Sequence, residues 1–333
     1  MNYGILETKK FELLKTTLLE LNSMPAVLFH SKNDSPEDWE AGLAKFIPNL
    51  DFRVWPDVGD PSEIEFALIW ALPPGSLKQM DNLKCICSLG QGVDHIFNDT
   101  EIPEKARIMR LVDPWMAQAM SEWILLNVLR FHRQGIEYEQ FEREKKWHVL
   151  PPPETSDCKV GILGLGELGS DAAKKIASLG FDVAGWSKSP KDINNVKSFS
   201  GDNQLEYFLK RTDILCCLLP LTPETDGILS SKTLSQLPRG AYIINAGRGR
   251  HIVDEDLLKA IDSGQISGAA LDVFHEEPLP EVHPYWTHPK VRVWPHVSAQ
   301  SNAGSAAKQV ADAITKVFEG KEPENLINRK NQY

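Results

Sequence analysis

The chain has 333 residues, enough for about two domains. Its 25% charged and 42% hydrophobic residues are ordinary for a globular protein, which argues against wholesale disorder and fibrous repeats. With 36 basic and 46 acidic side chains the formal net charge is −10, which disfavours nucleic acid and anionic membrane surfaces as main partners. A small anionic substrate is still compatible with this charge, because one local arginine can outweigh a diffuse negative field.

The first 24 residues mix charged side chains with scattered leucines and form a possible N-terminal extension without an assigned role. They lack the continuous apolar core of a signal peptide, and no stretch reaches the roughly 18 apolar residues of a membrane span. The five cysteines are an odd number without zinc-site spacing, which favours reduced, buried thiols. We therefore expect a cytoplasmic protein without a metal site.

Short apolar runs alternate with helical patterns from Pro25 onwards, which predicts doubly wound parallel sheets in an α/β fold. The first strand is predicted at 26–29. Ser35 and Pro36 are the predicted cap and first position of the next helix. Further strands are expected at 52–55, 66–70 and 84–88, and this first unit ends near Val112.

The longest helical pattern runs from Ala117 to Arg133, and it either bridges two domains or packs against a second subunit. Three prolines at 151–153 predict a stiff spacer. A second βα series follows, with a last helix predicted at 303–318. Its strands are predicted at 159–163, 182–186, 213–218, 241–245, 267–271 and 291–294. Adjacent Cys216 and Cys217 are expected to point to opposite faces of their strand.

A glycine-rich turn lies between the strand predicted at 159–163 and the helix that follows it. Its G-x-G-x-x-G spacing is typical of a turn that holds the pyrophosphate of a dinucleotide at a helix N-terminus. In that interpretation Gly164 permits the tight turn, Gly166 lets the backbone approach the pyrophosphate, and Gly169 allows helix and strand to pack closely. The residues of the turn are Gly164, Leu165, Gly166, Glu167, Leu168 and Gly169.

The next strand indicates which dinucleotide is bound. An NAD site usually has an acidic residue about 20 residues after the glycine turn, but this strand ends Trp186-Ser187-Lys188-Ser189. Asp182 lies at the opposite end of the strand. Ser187, Lys188 and Ser189 offer hydrogen-bond donors and a positive charge for a 2′-phosphate, which favours NADP over NAD. Lys188 could equally be a solvated loop lysine.

Several stretches together resemble the D-isomer-specific 2-hydroxyacid dehydrogenase family, and within it the glyoxylate/hydroxypyruvate reductase A branch. They are residues 88–94, 164–169, 245–249, 271–280 and 294–298. The resemblance implies two Rossmann-like domains with an active-site cleft between them. Residues 1–112 plus 299–333 would form the substrate domain, and residues 113–298 the dinucleotide-binding domain. It also implies a homodimer formed through the long helix near Met120 to Phe131.

Reduction of a 2-keto acid needs a proton donor and a cation for the carboxylate, and histidine and arginine suit these tasks. By resemblance His296 is the acid/base and Glu277 is its partner, because a carboxylate beside an imidazole favours the protonated ring. Arg248, in a glycine-rich loop, would bind the carboxylate and polarise the carbonyl. The neighbouring alternatives are His275, Glu276 and Arg250.

The remaining candidates follow strand ends. The backbone of Gly90, Gln91, Gly92 and Val93 could form a nest for the substrate carboxylate, and Trp70 would close the pocket or be a core tryptophan. By resemblance Asp272 accepts from the nicotinamide carboxamide, or else caps a turn. Further cofactor contacts are expected at Leu219, Pro220, Ala246 and Ser298. Trp294 departs from the aliphatic or small residue usual before the Pro-His pair.

These observations predict the NADPH-dependent reduction of glyoxylate and hydroxypyruvate to glycolate and D-glycerate. One alternative is an NAD-dependent dehydrogenase of another D-2-hydroxy acid. A second, of a different class, is a dinucleotide-sensing corepressor without catalytic activity, which the −10 charge and the missing nuclear basic run disfavour.

Overall fold

The computed structural model describes residues 25–330, so the predicted N-terminal extension lies outside the described part. Those residues form two compact units. One runs up to Leu111 and resumes at Ser301, and the other comprises Val112–Gln300. No helix between residues 25 and 330 is long and apolar enough to cross a membrane.

The described residues of the first unit form five parallel strands in the order β2-β1-β3-β4-β5. The strands are β1 (Ala26–His30), β2 (Phe52–Val54), β3 (Ile64–Ile69), β4 (Cys85–Ser88) and β5 (Arg107–Arg110). Edge strand β5 was not predicted from the sequence. The three internal strands are almost wholly buried, which explains their continuous apolar runs.

Between residues 25 and 330 this unit contains three helices: α1 (Pro36–Ala44), α2 (Asp94–Phe97) and the C-terminal helix Ala303–Phe318. The predicted start of α1 is confirmed, because the Ser35 side chain accepts a hydrogen bond from Asp38 N and Pro36 is the first helical residue. A Cβ placed on Gly42 would lie 3.0 Å from Ala307 Cβ. The glycine therefore allows α1 and the C-terminal helix to pack closely.

The second unit contains seven parallel strands in the order β12-β11-β10-β9-β6-β7-β8. They are β6 (Lys159–Leu163), β7 (Asp182–Ser187), β8 (Val196–Ser200), β9 (Ile214–Cys217), β10 (Ala241–Asn245), β11 (Ile266–Leu271) and β12 (Val291–Val293). The predicted doubly wound parallel sheets are confirmed in both units. Edge strand β8 is again absent from the sequence-based prediction.

Six helices flank this sheet. They are α3 (Pro114–His132), α4 (Gly135–Arg143), α5 (Glu167–Ser178), α6 (Asp202–Lys210), α7 (Ser231–Leu234) and α8 (Asp254–Asp262). The long helix α3 begins three residues earlier than predicted, because the Asp113 side chain caps Trp115 N and Pro114 occupies the first position. It packs against α5, where the Ser121 hydroxyl donates to Asp171 Oδ2 over 2.5 Å.

Both faces of the seven-stranded sheet are buried. Cys216 packs with Val160 and Ile162 on one face, whereas Cys217 packs with Leu163 and Leu215 on the other, as predicted. All five cysteines are free thiols, and burial raises the pKa of the Cys217 thiol to about 12. The expectation that all five are buried is wrong for Cys158, which is half-exposed.

Candidate functional site

The glycine turn follows β6, beside the point where the strand order reverses between β6 and β9. Gly164 has φ +100°, and a Cβ there would lie 2.6 Å from Leu218 O. A Cβ on Gly169 would lie 1.8 Å from Gly164 O, so α5 packs directly on the turn. Neither position accepts a side chain without displacing backbone.

Gly166 differs from its two neighbours because a Cβ there would meet no atom of the described chain within 4 Å. It caps α5, and the first helical residue, Glu167, is exposed. An open backbone at a helix N-terminus fits a pyrophosphate. Leu165 packs against Gly185 and is buried, so only its backbone is available to a cofactor. Leu168 is half-buried.

The end of β7 contains the predicted 2′-phosphate residues. Lys188 and Ser189 are exposed, whereas Ser187 is buried and its hydroxyl donates to Ser189 O over 2.7 Å. Trp186 is also buried, and its indole N–H donates to Gly201 O, so the ring belongs to the core. Lys188 and Ser189 are thus the accessible groups of this loop.

Asp182 lies at the other end of β7, as the sequence indicated. It forms ion pairs with Lys197 at 3.0 Å and Arg211 at 2.6 Å. Burial raises the pKa of its carboxyl, but hydrogen bonds from the two cations outweigh burial and leave the pKa below its ordinary value. Asp182 therefore holds strands together.

Glu277 and His296 form a direct pair, with Glu277 Oε2 2.7 Å from His296 Nδ1. The side chains are 36% and 30% exposed, so a small molecule can reach them. Phe274 N donates to Glu277 Oε1 over 2.9 Å. Burial raises the pKa of Glu277, but the hydrogen bond with His296 outweighs it, so the carboxylate is the stable form. Nδ1 faces the carboxylate, so Nε2 is the ring nitrogen of His296 that takes no part in this pair.

The backbone of His296 is left-handed, with φ +54°. Asp272 maintains this turn. Its carbonyl accepts from His296 N, and its carboxylate oxygens accept from Val297 N and Ser298 N, each over 2.9 Å. Asp272 is fully buried, and burial raises the pKa of its carboxyl. Asp272 therefore caps this turn, which is the alternative that the sequence left open for it, and in doing so positions the histidine. Ser298, also buried, belongs to the same turn.

Arg248 lies close enough to the pair for its charge to help lower the pKa of Glu277. Its Nη1 donates to Gly247 O over 2.8 Å. Two neighbours fix its backbone: Asn245 Nδ2 donates to Arg248 O over 2.9 Å, and Arg248 N donates to His251 Nδ1 over 3.0 Å. Asn245 and His251 are fully buried and were not predicted as supporting residues.

Gly249, in the Arg248 loop, lies directly against the backbone of the segment that leads to Glu277. A Cβ there would lie 1.9 Å from the carbonyl carbon of Phe274. In the sequence, this close approach was indicated only by the pair of glycines that flank Arg248.

Of the other predicted cofactor contacts, Leu219 and Ala246 are buried. Pro220 is exposed, and its carbonyl accepts from Thr225 Oγ1 over 2.7 Å.

The three neighbouring alternatives have other surroundings. His275 Nε2 lies 2.8 Å from Ile252 O and 3.7 Å from Asp254 Oδ1. Arg250 forms an ion pair with Asp226. Glu276 is exposed. The structure thus brings together Arg248, Glu277 and His296, and these alternatives take no part in the Glu277–His296 hydrogen bond.

The predicted substrate residues lie in the first unit. Gly90 is covered by Trp70, since a Cβ on Gly90 would lie 2.6 Å from Trp70 Cζ3. Trp70 is half-buried, which excludes a plain core tryptophan. Within residues 25–330, no hydrogen-bond acceptor meets the backbone N–H groups of Gln91, Gly92 and Val93. The buried Nε2 of Gln91 likewise has no hydrogen-bond partner in the described chain.

Trp294, two residues before His296, contacts Trp123 of α3 edge to face, with ring centroids 5.9 Å apart. The bulky residue is thus accommodated against a helix of the same unit. Trp294 therefore packs beside the histidine turn, and the Glu277–His296 pair is formed with this bulky residue in place.

Comparison with known proteins gives consistent relatives. Residues 125–298 match the family model described as D-isomer specific 2-hydroxyacid dehydrogenase, NAD binding domain. A glyoxylate/hydroxypyruvate reductase A of Serratia proteamaculans is 39% identical over 307 residues, covering 91% of this chain and 98% of that protein.

Two solved structures are similar over nearly the whole chain. A D-isomer specific 2-hydroxyacid dehydrogenase from Xanthobacter autotrophicus, in complex with NADPH and MES, is 38% identical with a TM-score of 0.89, covering 93% of this chain and 100% of that one. An NADPH-dependent glyoxylate/hydroxypyruvate reductase from Sinorhizobium meliloti, in complex with NADP and sulfate, is 36% identical with a TM-score of 0.86, covering 92% and 100%.

Proposed function

Because the chain belongs to the D-isomer specific 2-hydroxyacid dehydrogenase family, we propose that it reduces glyoxylate to glycolate and hydroxypyruvate to D-glycerate with NADPH. The observation that carries the proposal is the Glu277–His296 pair, joined at 2.7 Å and accessible, with Arg248 nearby. A proton donor, its carboxylate partner and a fixed cation are what ketone reduction requires of the protein.

In this proposal His296 gives its Nε2 proton to the ketone oxygen, and the Glu277 carboxylate stabilises the protonated ring. Arg248 binds the substrate carboxylate and polarises the carbonyl with its planar guanidinium. Bound NADPH supplies the hydride. Asp272 keeps the His296 turn in place, so that Nε2 has one position relative to its partner.

We assign substrate binding to the first unit and cofactor binding to the second. The backbone N–H groups of Gln91, Gly92 and Val93 would bind the substrate carboxylate, together with the Gln91 amide. The indole of Trp70 limits the space above Gly90, which favours small keto acids. In the second unit, the open backbone at Gly166 would receive the pyrophosphate, and Lys188 and Ser189 the 2′-phosphate.

A spectrophotometric screen tests the proposal. The purified protein is offered glyoxylate, hydroxypyruvate, pyruvate and 2-ketobutyrate, each with NADPH and with NADH, and oxidation of the cofactor is followed. We expect the highest kcat/KM for the two smallest α-keto acids with NADPH. A clear preference for another keto acid, or for NADH, would favour the NAD-dependent alternative, and no turnover at all would refute the proposal.

Replacing Ser189, which is exposed beside Lys188, with aspartate is expected to lower the NADPH-to-NADH ratio of kcat/KM by about 10- to 100-fold. The new carboxylate repels a 2′-phosphate and can accept from a ribose 2′-hydroxyl. Steady-state kinetics with both cofactors measures the ratio. Lys188→Met should lower kcat/KM with NADPH and leave kcat/KM with NADH unchanged. Lys197→Met is the control, because this lysine lies on β8 and pairs with Asp182 at the other end of β7, and it should change kcat/KM with neither cofactor.

We also propose a cytoplasmic homodimer. The free thiols suit a reducing compartment. Apolar side chains of α3 and the segment after α4 are exposed: Leu126 by 49%, Val149 by 75% and Trp147 by 99%. A second copy of the chain would cover them. Analytical ultracentrifugation should give twice 37.4 kDa, and Leu126→Glu should shift the mass toward one chain. A wild-type protein that sediments as a single chain would contradict the dimer.

A further inference from the structure

One imidazole in the first unit connects two segments of the predicted substrate site. His95, in α2, accepts a hydrogen bond from Ala71 N at Nδ1, over 3.3 Å. Because Nδ1 is the acceptor, the ring proton lies on Nε2 in the neutral form. Nε2 is 3.0 Å from Ser88 Oγ. His95 therefore donates to Ser88 while it holds the backbone directly after Trp70.

The Ser88 hydroxyl passes this contact on to the glycine loop. Its own proton is donated to Gly92 O over 2.7 Å, and its oxygen also accepts from Gly90 N over 3.3 Å. Ser88 is fully buried, so water does not compete for these bonds. The direction of every bond is thus determined, from Ala71 through His95 and Ser88 to the two glycines.

The same ring also supports Trp70. The His95 and Trp70 ring centroids are 4.5 Å apart and tilted by 54°. Ala71 has φ +49°, a left-handed conformation that an alanine adopts only where its surroundings hold it. The hydrogen bond from Ala71 N to His95 is one such restraint. Trp70 and the loop at Gly90–Gly92 are consequently braced by one side chain.

We propose that His95 is a positioning residue that shapes the loop Gly90–Val93 for the carboxylate of a small 2-keto acid. The inference rests on the proposed function. A nest binds an anion only when successive N–H groups converge, and convergence depends on the peptide orientations at Gly90 and Gly92, both of which Ser88 fixes. His95 fixes Ser88 in turn. Its influence is expected on substrate binding, because the hydrogen bonds that it makes run to Ala71 and Ser88 beside the loop.

The test compares His95→Leu with His95→Gln, using glyoxylate and NADPH. His95→Leu should raise KM for glyoxylate about tenfold or more, with kcat within about threefold and Kd for NADPH unchanged. His95→Gln should recover part of the loss, since its amide N–H can donate to Ser88. Phe97→Leu, on the same helix, is the matched control and should leave KM unchanged.

Ser88→Ala alone should also raise KM for glyoxylate, which keeps the test decisive if His95→Leu folds poorly. The double variant His95→Leu/Ser88→Ala should raise KM about as much as either single variant, because each substitution breaks the same connected hydrogen-bond network. An unchanged KM with a lower Tm would reduce His95 to a structural role and overturn the inference, and so would a large loss of kcat at constant KM. A wild-type protein that reduces no 2-keto acid would instead refute the proposed function.

Discussion

Replacing His296 with glutamine is expected to lower kcat for glyoxylate reduction by about 10²–10⁴ while Kd for NADPH stays the same. Glutamine can occupy the space and accept or donate a hydrogen bond, but it cannot give up a proton near neutral pH. The turn should persist in the variant, because Asp272 binds the backbone N–H groups of residues 296–298. Steady-state kinetics and a fluorescence titration with NADPH measure the two quantities.

His275→Gln is the matched control, because this histidine is only two residues from Glu277 and was the nearest alternative acid. Its Nε2 lies 2.8 Å from a backbone carbonyl, that of Ile252. We expect near-wild-type kcat for this variant. The assignment of the acid would be wrong if His296→Gln kept full activity, or if His275→Gln lost as much activity.

The pH dependence gives this first prediction a second readout. The pKa of Glu277 is raised by burial but lowered more by the hydrogen bond with His296, so the carboxylate is charged throughout the range in which a histidine titrates. That charge lies 2.7 Å from Nδ1, so Nδ1 carries a proton and donates it to the carboxylate. In Glu277→Gln the charge is lost, and kcat/KM for glyoxylate reduction should fall by about 10²-fold. The wild-type protein should lose activity at acid pH as Glu277 takes up a proton, and the variant should lack this acid limb. Equal acid limbs in the two proteins would show that another group controls it.

Much of the fold could be predicted because buried parallel strands are short continuous apolar runs. The predictions at Lys159–Leu163 and Ala241–Asn245 match β6 and β10, and the C-terminal helix is also predicted to the residue. Strands β5 and β8 were missed. Both are the last strands in their sheets and carry polar residues, as in Arg107–Arg110, so their sequences lack the apolar pattern.

The residues of the candidate site likewise fall into those that the sequence predicts and those that it does not. Sequence motifs identify residues whose side chains take part in the chemistry, such as Glu277, which directly precedes Pro278 in the stretch 271–280. They do not identify residues whose importance comes from a contact with a distant part of the chain. His251 supports Arg248 only because the loop folds back, and Gly249 must lack a side chain only because Phe274 lies against it. Such distances exist only in the folded chain.

Replacing Arg248 with lysine is expected to lower kcat/KM for glyoxylate by about 10²–10³, with Kd for NADPH unchanged. Lysine keeps the charge but not the planar fork of donors that can bind a carboxylate and reach the carbonyl oxygen together. The loop should keep its shape, since Asn245 and His251 bind the backbone of residue 248 rather than its side chain. Kinetics on glyoxylate and a cofactor titration test both parts.

Two further variants make the Arg248 prediction specific to the guanidinium. Arg250→Lys, in the same loop, changes an exposed arginine that pairs with Asp226 and should leave kcat/KM within about threefold, because exposed ion pairs contribute little. Arg248→Ala should recover part of its activity when guanidinium is added and less with an ammonium salt, since only guanidinium restores the planar donors. Equal recovery with both cations would mean that charge alone matters at this position, and the proposed two-point contact with the keto acid would then be wrong.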